Sequence, residues 1–430
     1  MPRPRLSHPG SYRGSLLLGL AALLLATLVA TGCSSDDKSA TPSPDIRAAR
    51  QVPAAYAEQV DQLVQGNTAF ALDLYNQLKD EEGNLFFSPY SISTAMGMIW
   101  AGARGETETE IAQVFHFPYG QDALHQTFGE LQHSLDTGIG YDLYRLDIAN
   151  RLWGQTGYPW NAPFLDITRV EYGAELVQSN IMSDPDAARL AVNTWVNETT
   201  AGKIPELLQA GTVTNLTRLI LANAIYFKGK WVTRFDASKT RTEPFTLSNM
   251  QSVDVPMMSQ TDEFPFAERD GVLLLEMPYT GQDIAMVLLL PFTIDLPALE
   301  AALTPENLSA WLDGLVTMKV AVAVPRFTFR WKSSLKEPLS EMGMPRVFSE
   351  TDADLTGMAT AEYLYLQFLV HEAFVAVDEE GTEAAAATAG GAGTVSAPPS
   401  FVADHPFLFL IRDRVTGSIL FMGRVADPRG

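Results

Sequence analysis

The chain has 430 residues, of which 46% are apolar, 10% aromatic and 19% charged, and it carries a formal net charge of −21. That composition supplies a large core and excludes general disorder, while the length is compatible with one large domain or two. Nucleic acid is excluded as a partner, because phosphates need clustered Lys/Arg and the sequence contains no basic stripe.

In chain order, Arg3, Arg5 and Arg13 precede an apolar run, Leu16–Ala30, broken only by Gly19 and Thr27. The run is shorter than the roughly 20 residues a membrane-spanning helix needs and fits the core of a signal peptide. Ala30, Thr31 and Gly32 then lead to Cys33, an arrangement that resembles the bacterial lipoprotein box, with Ala where Leu is commoner three residues before the cysteine. In that box the cysteine is lipidated and becomes the new N-terminus. Cys33 is the only cysteine, so it has no disulfide partner in the chain. The following "SSDDKSATPSPD" is small, polar and proline-bearing, as a flexible tether is. The expected organisation is a lipoprotein signal peptide over 1–32, a tether over 33–58 and an ordered body from about Glu58 to residue 428. Such a protein would cross the inner membrane and stay lipid-anchored in the cell envelope or on the cell surface.

Within the body, Asn67 is placed to cap a helix whose apolar positions are Phe70, Ala71, Leu74, Tyr75 and Leu78. Ser88 followed by Pro89 marks a second helix start, a capping hydroxyl and then a proline where its missing N–H costs nothing. Ile92, Ala95, Met96, Met98, Ile99 and Trp100 surround that helix with apolar side chains, which predicts burial on all sides. Further helices are expected over 106–115, 121–135 and 185–199. The second half reads as strands: Arg218–Trp231 with Asn223 inside it, a hairpin turning at Thr280–Asp283, Phe368–Val377, and a final hairpin turning at Val415–Gly417. Helices early and antiparallel hairpins late predict an α+β fold, without the alternation of a nucleotide-binding βαβ fold.

No catalytic or cofactor motif assembles. The chain lacks G-x-S-x-G, H-E-x-x-H, a Walker loop and G-x-G-x-x-G, and His371-Glu372 has no second histidine after it. The stretch "DADLTG" (Asp352–Gly357) imitates the start of a calcium loop, but Tyr363 stands where the twelfth-position Glu belongs. No metal, cofactor or catalytic residue is expected.

One tract fits none of this. "DEEGTEAAAATAGGAGTVSAPPS" (Asp378–Ser400) contains almost nothing bulky, yet lies between two strand patterns. Composition alone reads it as a linker. Taken with "FFSPYSIS", "NAIYFKGKW", "VPMM" (Val255–Met258), "HEAFVAVDEEGTEAAAATA", "DHPFLFLI" and "FMGRV", however, it resembles the motifs of the serpin family, in order and spacing, over roughly residues 59–428.

The resemblance implies three β-sheets with eight or nine helices and an exposed reactive-centre loop at about 379–400. It implies an irreversible inhibitor, not an enzyme: a target serine protease cleaves the loop and forms an acyl-enzyme. The loop then inserts into the main sheet as a new strand and traps the protease in a covalent complex. Small inward side chains at alternate positions (Thr382, Ala384, Ala386, Thr388) suit such insertion. Carried over residue by residue, the hinge is Glu379, Gly381, Thr382, Glu383, Ala384, Ala385, Ala386 and Ala387. Ser88, Ser91, Asn223 and His371 match the polar cluster where strands part; from their chemistry alone, Ser88 is a cap and His371 a satisfied core histidine. Trp231 matches the aromatic where insertion starts. The family's usual loop length places the scissile bond at Val395–Ser396, and Val suits an elastase-like or subtilisin-like pocket. The three glycines of "GGAG" (Gly390–Gly393) depart from the pattern and weaken a strand. A monomer is expected, with the protease and, through Cys33, the membrane as partners. The alternatives are a non-inhibitory serpin acting as a binding or chaperone-like module and an inhibitor of cysteine proteases.

Overall fold

A computed structural model describes residues 51–139, 144–360, 364–382 and 398–430. Cys33, residues 383–387, Val395 and Ser396 lie outside the described residues.

The first half runs α1 (Ala57–Leu78), β1 (Leu85–Phe87), α2 (Pro89–Gly102), α3 (Gly105–Val114), α4 (Gln121–Ile139), β2 (Tyr144–Gln155), α5 (Ala162–Glu171), β3 (Leu176–Ser179) and α6 (Pro185–Thr199). The second half runs β4 (Leu219–Lys230), β5 (Arg241–Thr246), β6 (Ser252–Arg269), β7 (Val272–Pro278), β8 (Ile284–Pro291), α7 (Leu296–Ala302), α8 (Pro305–Asp313), β9 (Val316–Pro325), β10 (Phe327–Ser334) and α9 (Lys336–Glu341). It closes with β11 (Val370–Val377), β12 (Gly381–Thr382), β13 (Ser400–Val402), β14 (Phe407–Asp413) and β15 (Ile419–Val425). Among the described residues no helix is long and apolar enough to cross a membrane.

The α+β class and the helices expected at 106–115, 121–135 and 185–199 are observed to within a few residues. Helix α2 begins as its sequence dictates: Ser88 is extended, its Oγ accepts from the Ser91 N–H, and Pro89 occupies the first helical position. Every residue of α2 is buried, in keeping with its uniform apolarity. Helix α1 differs from expectation. It starts ten residues before Asn67, because Val60, Leu63 and Val64 extend the apolar face backwards. Asn67 therefore lies inside the helix and accepts a hydrogen bond from the Ser93 hydroxyl at 2.6 Å. Val52 and Tyr56 also pack against the core, so the packed body begins before residue 58.

Of the three sheets, the first has the order β10-β11-β4-β2-β3 with β12 added to β4. The other two are continuous, because β6 runs through both: its first residues pair with β5, its middle with β9 and its last with β7. The joined sheet has the order β1-β15-β14-β8-β7-β6-β9-β13, with β5 on β6. Phe86 fastens the sheets together, stacking on Phe421 at 5.1 Å and Phe409 at 5.5 Å and meeting Phe329 of β10 edge-on at 6.3 Å. Strands β4 and β11, central in the first sheet, are parallel and pair over four residues only, Asn223–Tyr226 with His371–Phe374.

Candidate functional site: a polar latch and a seated hinge

Two features meet on β4. At the lower end of its seam with β11, the register places Asn150 of β2 beside Asn223, and Asn223 beside His371. The N-terminus of α2 comes up beneath them. The Ser88 N–H donates to His371 Nε2 at 3.1 Å. Because Nε2 accepts, the ring proton sits on Nδ1, which donates to Asn223 Oδ1 at 2.5 Å. The Asn223 amide donates in turn to the Ser91 carbonyl (2.9 Å), the Ser91 hydroxyl (2.7 Å) and Asn150 Oδ1 (2.6 Å). The Ser88 hydroxyl donates to the Leu420 carbonyl of β15 at 2.6 Å. Ser88, Ser91, Asn223 and His371 are fully buried. The four expected residues are thus brought together, and Asn150 joins them. The cluster is a buried hydrogen-bond network: neither ring nitrogen of His371 faces a serine hydroxyl, so His371 activates no nucleophile here.

Burial lowers His371 to a pKa of about 3; burial, helped by the charge of Arg104, lowers His125 to about 4. Both histidines stay neutral in the folded protein while the unfolded chain takes up their protons below about pH 6.5. The unfolded state then binds more protons, so the stability they contribute is complete above that pH and is lost as pH falls towards 4. Urea unfolding from pH 7 to 5 should show stability falling by up to roughly 1.4 kcal/mol per pH unit for each histidine. His371→Gln should remove its share of the slope, and parallel curves for the two proteins would contradict this account.

At the upper end of β4 the chain turns back on itself. The Asp378 carboxylate accepts from the N–H groups of Glu380 (2.9 Å) and Gly381 (3.3 Å), and β12 then lies antiparallel on β4, Gly381 opposite Lys230 and Thr382 opposite Gly229. Glycine is required at 381 by close approach, since a β-carbon there would stand 2.1 Å from the Gly229 carbonyl oxygen. The Trp231 N–H donates to the Glu380 carbonyl at 2.7 Å, its indole N–H to the Asp378 carbonyl at 3.0 Å, and the Phe235 N–H to the Glu379 carbonyl at 2.8 Å. The Thr382 hydroxyl points inward and shares a hydrogen bond with the Tyr279 hydroxyl at 2.9 Å; the Tyr279 ring stacks on Trp231 at 4.4 Å.

Glu379 is gripped by Arg326, whose Nε donates to Oε2 at 2.8 Å and whose Nη2 donates to Oε1, and by the Thr240 hydroxyl. Burial raises the Glu379 carboxyl, and these hydrogen bonds outweigh it, leaving it below the usual range. Glu380 has no such grip. It is 4% exposed, and neither of its carboxylate oxygens has a hydrogen-bond partner.

One expectation is overturned here. The loop was expected to be exposed from residue 379, yet Glu379, Glu380, Gly381 and Thr382 are buried, Thr382 to 3%. The reason is the short parallel seam. Above Tyr226, β4 has no partner in β11, and the returning chain satisfies the backbone groups of Gly229 and Lys230 instead. Trp231 stands where expected, at the top of the sheet beside the hinge. Asn150, Tyr279 and Arg326 were not anticipated. The one available signal was an amide in the strand pattern around Asn150, matching the one at Asn223.

Known proteins place this arrangement. The family described as Serpin (serine protease inhibitor) matches residues 65–428. The leukocyte elastase inhibitor of Sus scrofa is 43% identical over 383 residues, covering 86% of this chain and all of that protein. That of Homo sapiens is 41% identical over 382 residues with the same coverage, and that of Xenopus tropicalis is 40% identical over 371 residues, covering 84% and 98%. Uncleaved ovalbumin superposes with a TM-score of 0.75 at 30% identity, covering 85% of this chain and all of that one. With its body matched from end to end, the chain belongs to the serpin family of serine protease inhibitors.

Proposed function

We propose that the chain inhibits elastase-like serine proteases as a single-use substrate: the protease cleaves the loop at Val395–Ser396, is held as an acyl-enzyme, and is trapped when the loop inserts between β4 and β11. The observation that carries this reading is Thr382, already paired on β4 with its side chain inward, just above the point where the pairing of β4 with β11 ends. The names of the relatives and the Val at 395 support an elastase-like target. Incubation with pancreatic elastase followed by denaturing gel electrophoresis tests it. A denaturant-resistant band of the summed masses is expected, and cleaved chain alone, with the protease still active, would overturn the reading.

The anchor belongs to the same proposal and rests on sequence, since the family match begins after Cys33. In this reading the inhibitor acts outside the inner membrane, tethered by lipid at Cys33. The native protein should partition with membranes, whereas Cys33→Ser should stay soluble or unprocessed. Identical soluble fractionation of the two would remove the anchor.

A further inference from the structure

Strand β4 carries a charge that its own sheet opposes. Its antiparallel pairing with β2 sets Lys228 directly opposite Arg145. Residues paired in this way stand on one face of a sheet, and like charges so placed are destabilising. The face is the one turned away from the core. Phe227 and Gly229, on either side of Lys228, are buried, whereas Arg145 is exposed and its guanidinium lies 5.7 Å from the centre of the Tyr226 ring.

The acids on that face are already engaged. Asp147, two residues along β2, accepts from Arg145 Nε, and Glu372 of β11 forms its ion pair with Lys332 of β10. Lys203 and Arg330 lie over the Phe374 ring at 5.0 and 5.8 Å, and Lys230 adds an exposed cation further along β4. Among the described residues Lys228 has no ion-pair partner.

Its counterpart stands one residue beyond β12. Gly381 is opposite Lys230 and Thr382 opposite Gly229, so extending β12 by one residue in the same register would set position 383 opposite Lys228. Side chains alternate along a strand. With Thr382 turned inward to the Tyr279 hydroxyl, position 383 of the extended strand belongs to the outer face, with Lys228. The residue at that position is Glu383.

We infer that Lys228 is a positioning residue for insertion: it receives the Glu383 carboxylate as the strand first lengthens, and that carboxylate offsets the repulsion between Lys228 and Arg145. The pair also rewards one register. A slip of one residue would bring an alanine to Lys228 and turn Glu383 towards the core. This inference rests on the insertion proposed above.

Charge exchange tests it. Lys228→Glu sets two carboxylates opposite each other on insertion. It should slow complex formation with pancreatic elastase about fivefold and raise the inhibitor consumed per protease. Glu383→Lys should do the same by opposing two cations, and the double variant, Lys228→Glu with Glu383→Lys, should recover native values. High salt should narrow the differences, as it would not for a packing defect. The thermal midpoint is read alongside: its rise on nicking the loop should be smaller in each single variant and recover in the double. Single variants that match the native chain in both readouts, or a double variant that recovers neither, overturn the inference. Midpoints that follow the pairing in a chain that forms no complex uphold it and overturn only the inhibitory reading.

Discussion

Thr382→Arg is expected to convert the inhibitor into a substrate. The site is buried and faces the Tyr279 hydroxyl, so it has no room for the larger side chain. Forcing a guanidinium into it costs several kcal/mol, on the order of half of what the whole inserted strand would contribute. The cost falls at the start of insertion, before further pairing has formed. Cleavage at the loop should therefore continue at a similar initial rate while the covalent complex with elastase disappears. The seat is already occupied in the uncut chain, so the substitution also acts before any protease arrives: β12 should leave β4, and Trp231 fluorescence should change with it. Undiminished trapping at unchanged stoichiometry would refute this account.

The second large effect concerns stability. Cleavage within Gly390–Ser396 should raise the thermal midpoint strongly. A strand of some fourteen residues, at a net of about 1 kcal/mol per backbone hydrogen bond, gains on the order of 10 kcal/mol on insertion. For a body of this size that corresponds to a shift of roughly 10 °C or more. The uncut protein is on this account metastable, held by the barrier to opening the β4–β11 seam. Calorimetry of intact and cleanly nicked protein decides the matter: equal midpoints would mean the loop is passive. The glycines of Gly390–Gly393 temper the gain, since they weaken the part of the strand that inserts last.

Much of this arrangement was legible in the chain because it is local. Ser88-Pro89 fixes a helix start wherever it stands, and the unbroken apolarity after it can only be buried. The run around Asn223 and the final hairpin carry their turns and strand chemistry with them. Alternation put Ala384, Ala386 and Thr388 on the same side as Thr382, but that this side faces inward came from the resemblance to the family. What escaped notice depends on register between distant segments. Tyr279 looks like any aromatic beside a turn until β7 is laid under the end of β4. Arg326 acquires its role from a carboxylate 53 positions away, and Asn150 from a strand 73 positions away. The burial of the hinge escaped for another reason. Whether Gly381 and Thr382 prefer solvent or the free edge of β4 is a balance between two conformations of one sequence, and composition bears on neither side of it.

For the insertion proposed above, the four-residue seam gives the opening of this sheet the character of branch migration. On β4, Phe227 and Lys228 alone separate the last residue paired with β11 from the first paired with β12. Once a third strand has filled those two positions, each advance exchanges one parallel pairing for two new antiparallel ones, so the fork runs downhill. The exchange has just four steps, and the last is the Asn223–His371 pair that also holds the polar latch. Beyond that point the fork has no old pairing left to displace. The resistance is thus concentrated in a short stretch near the start, and a sequence change there sets the clock for the whole transition, while one further down alters only how far it finally falls.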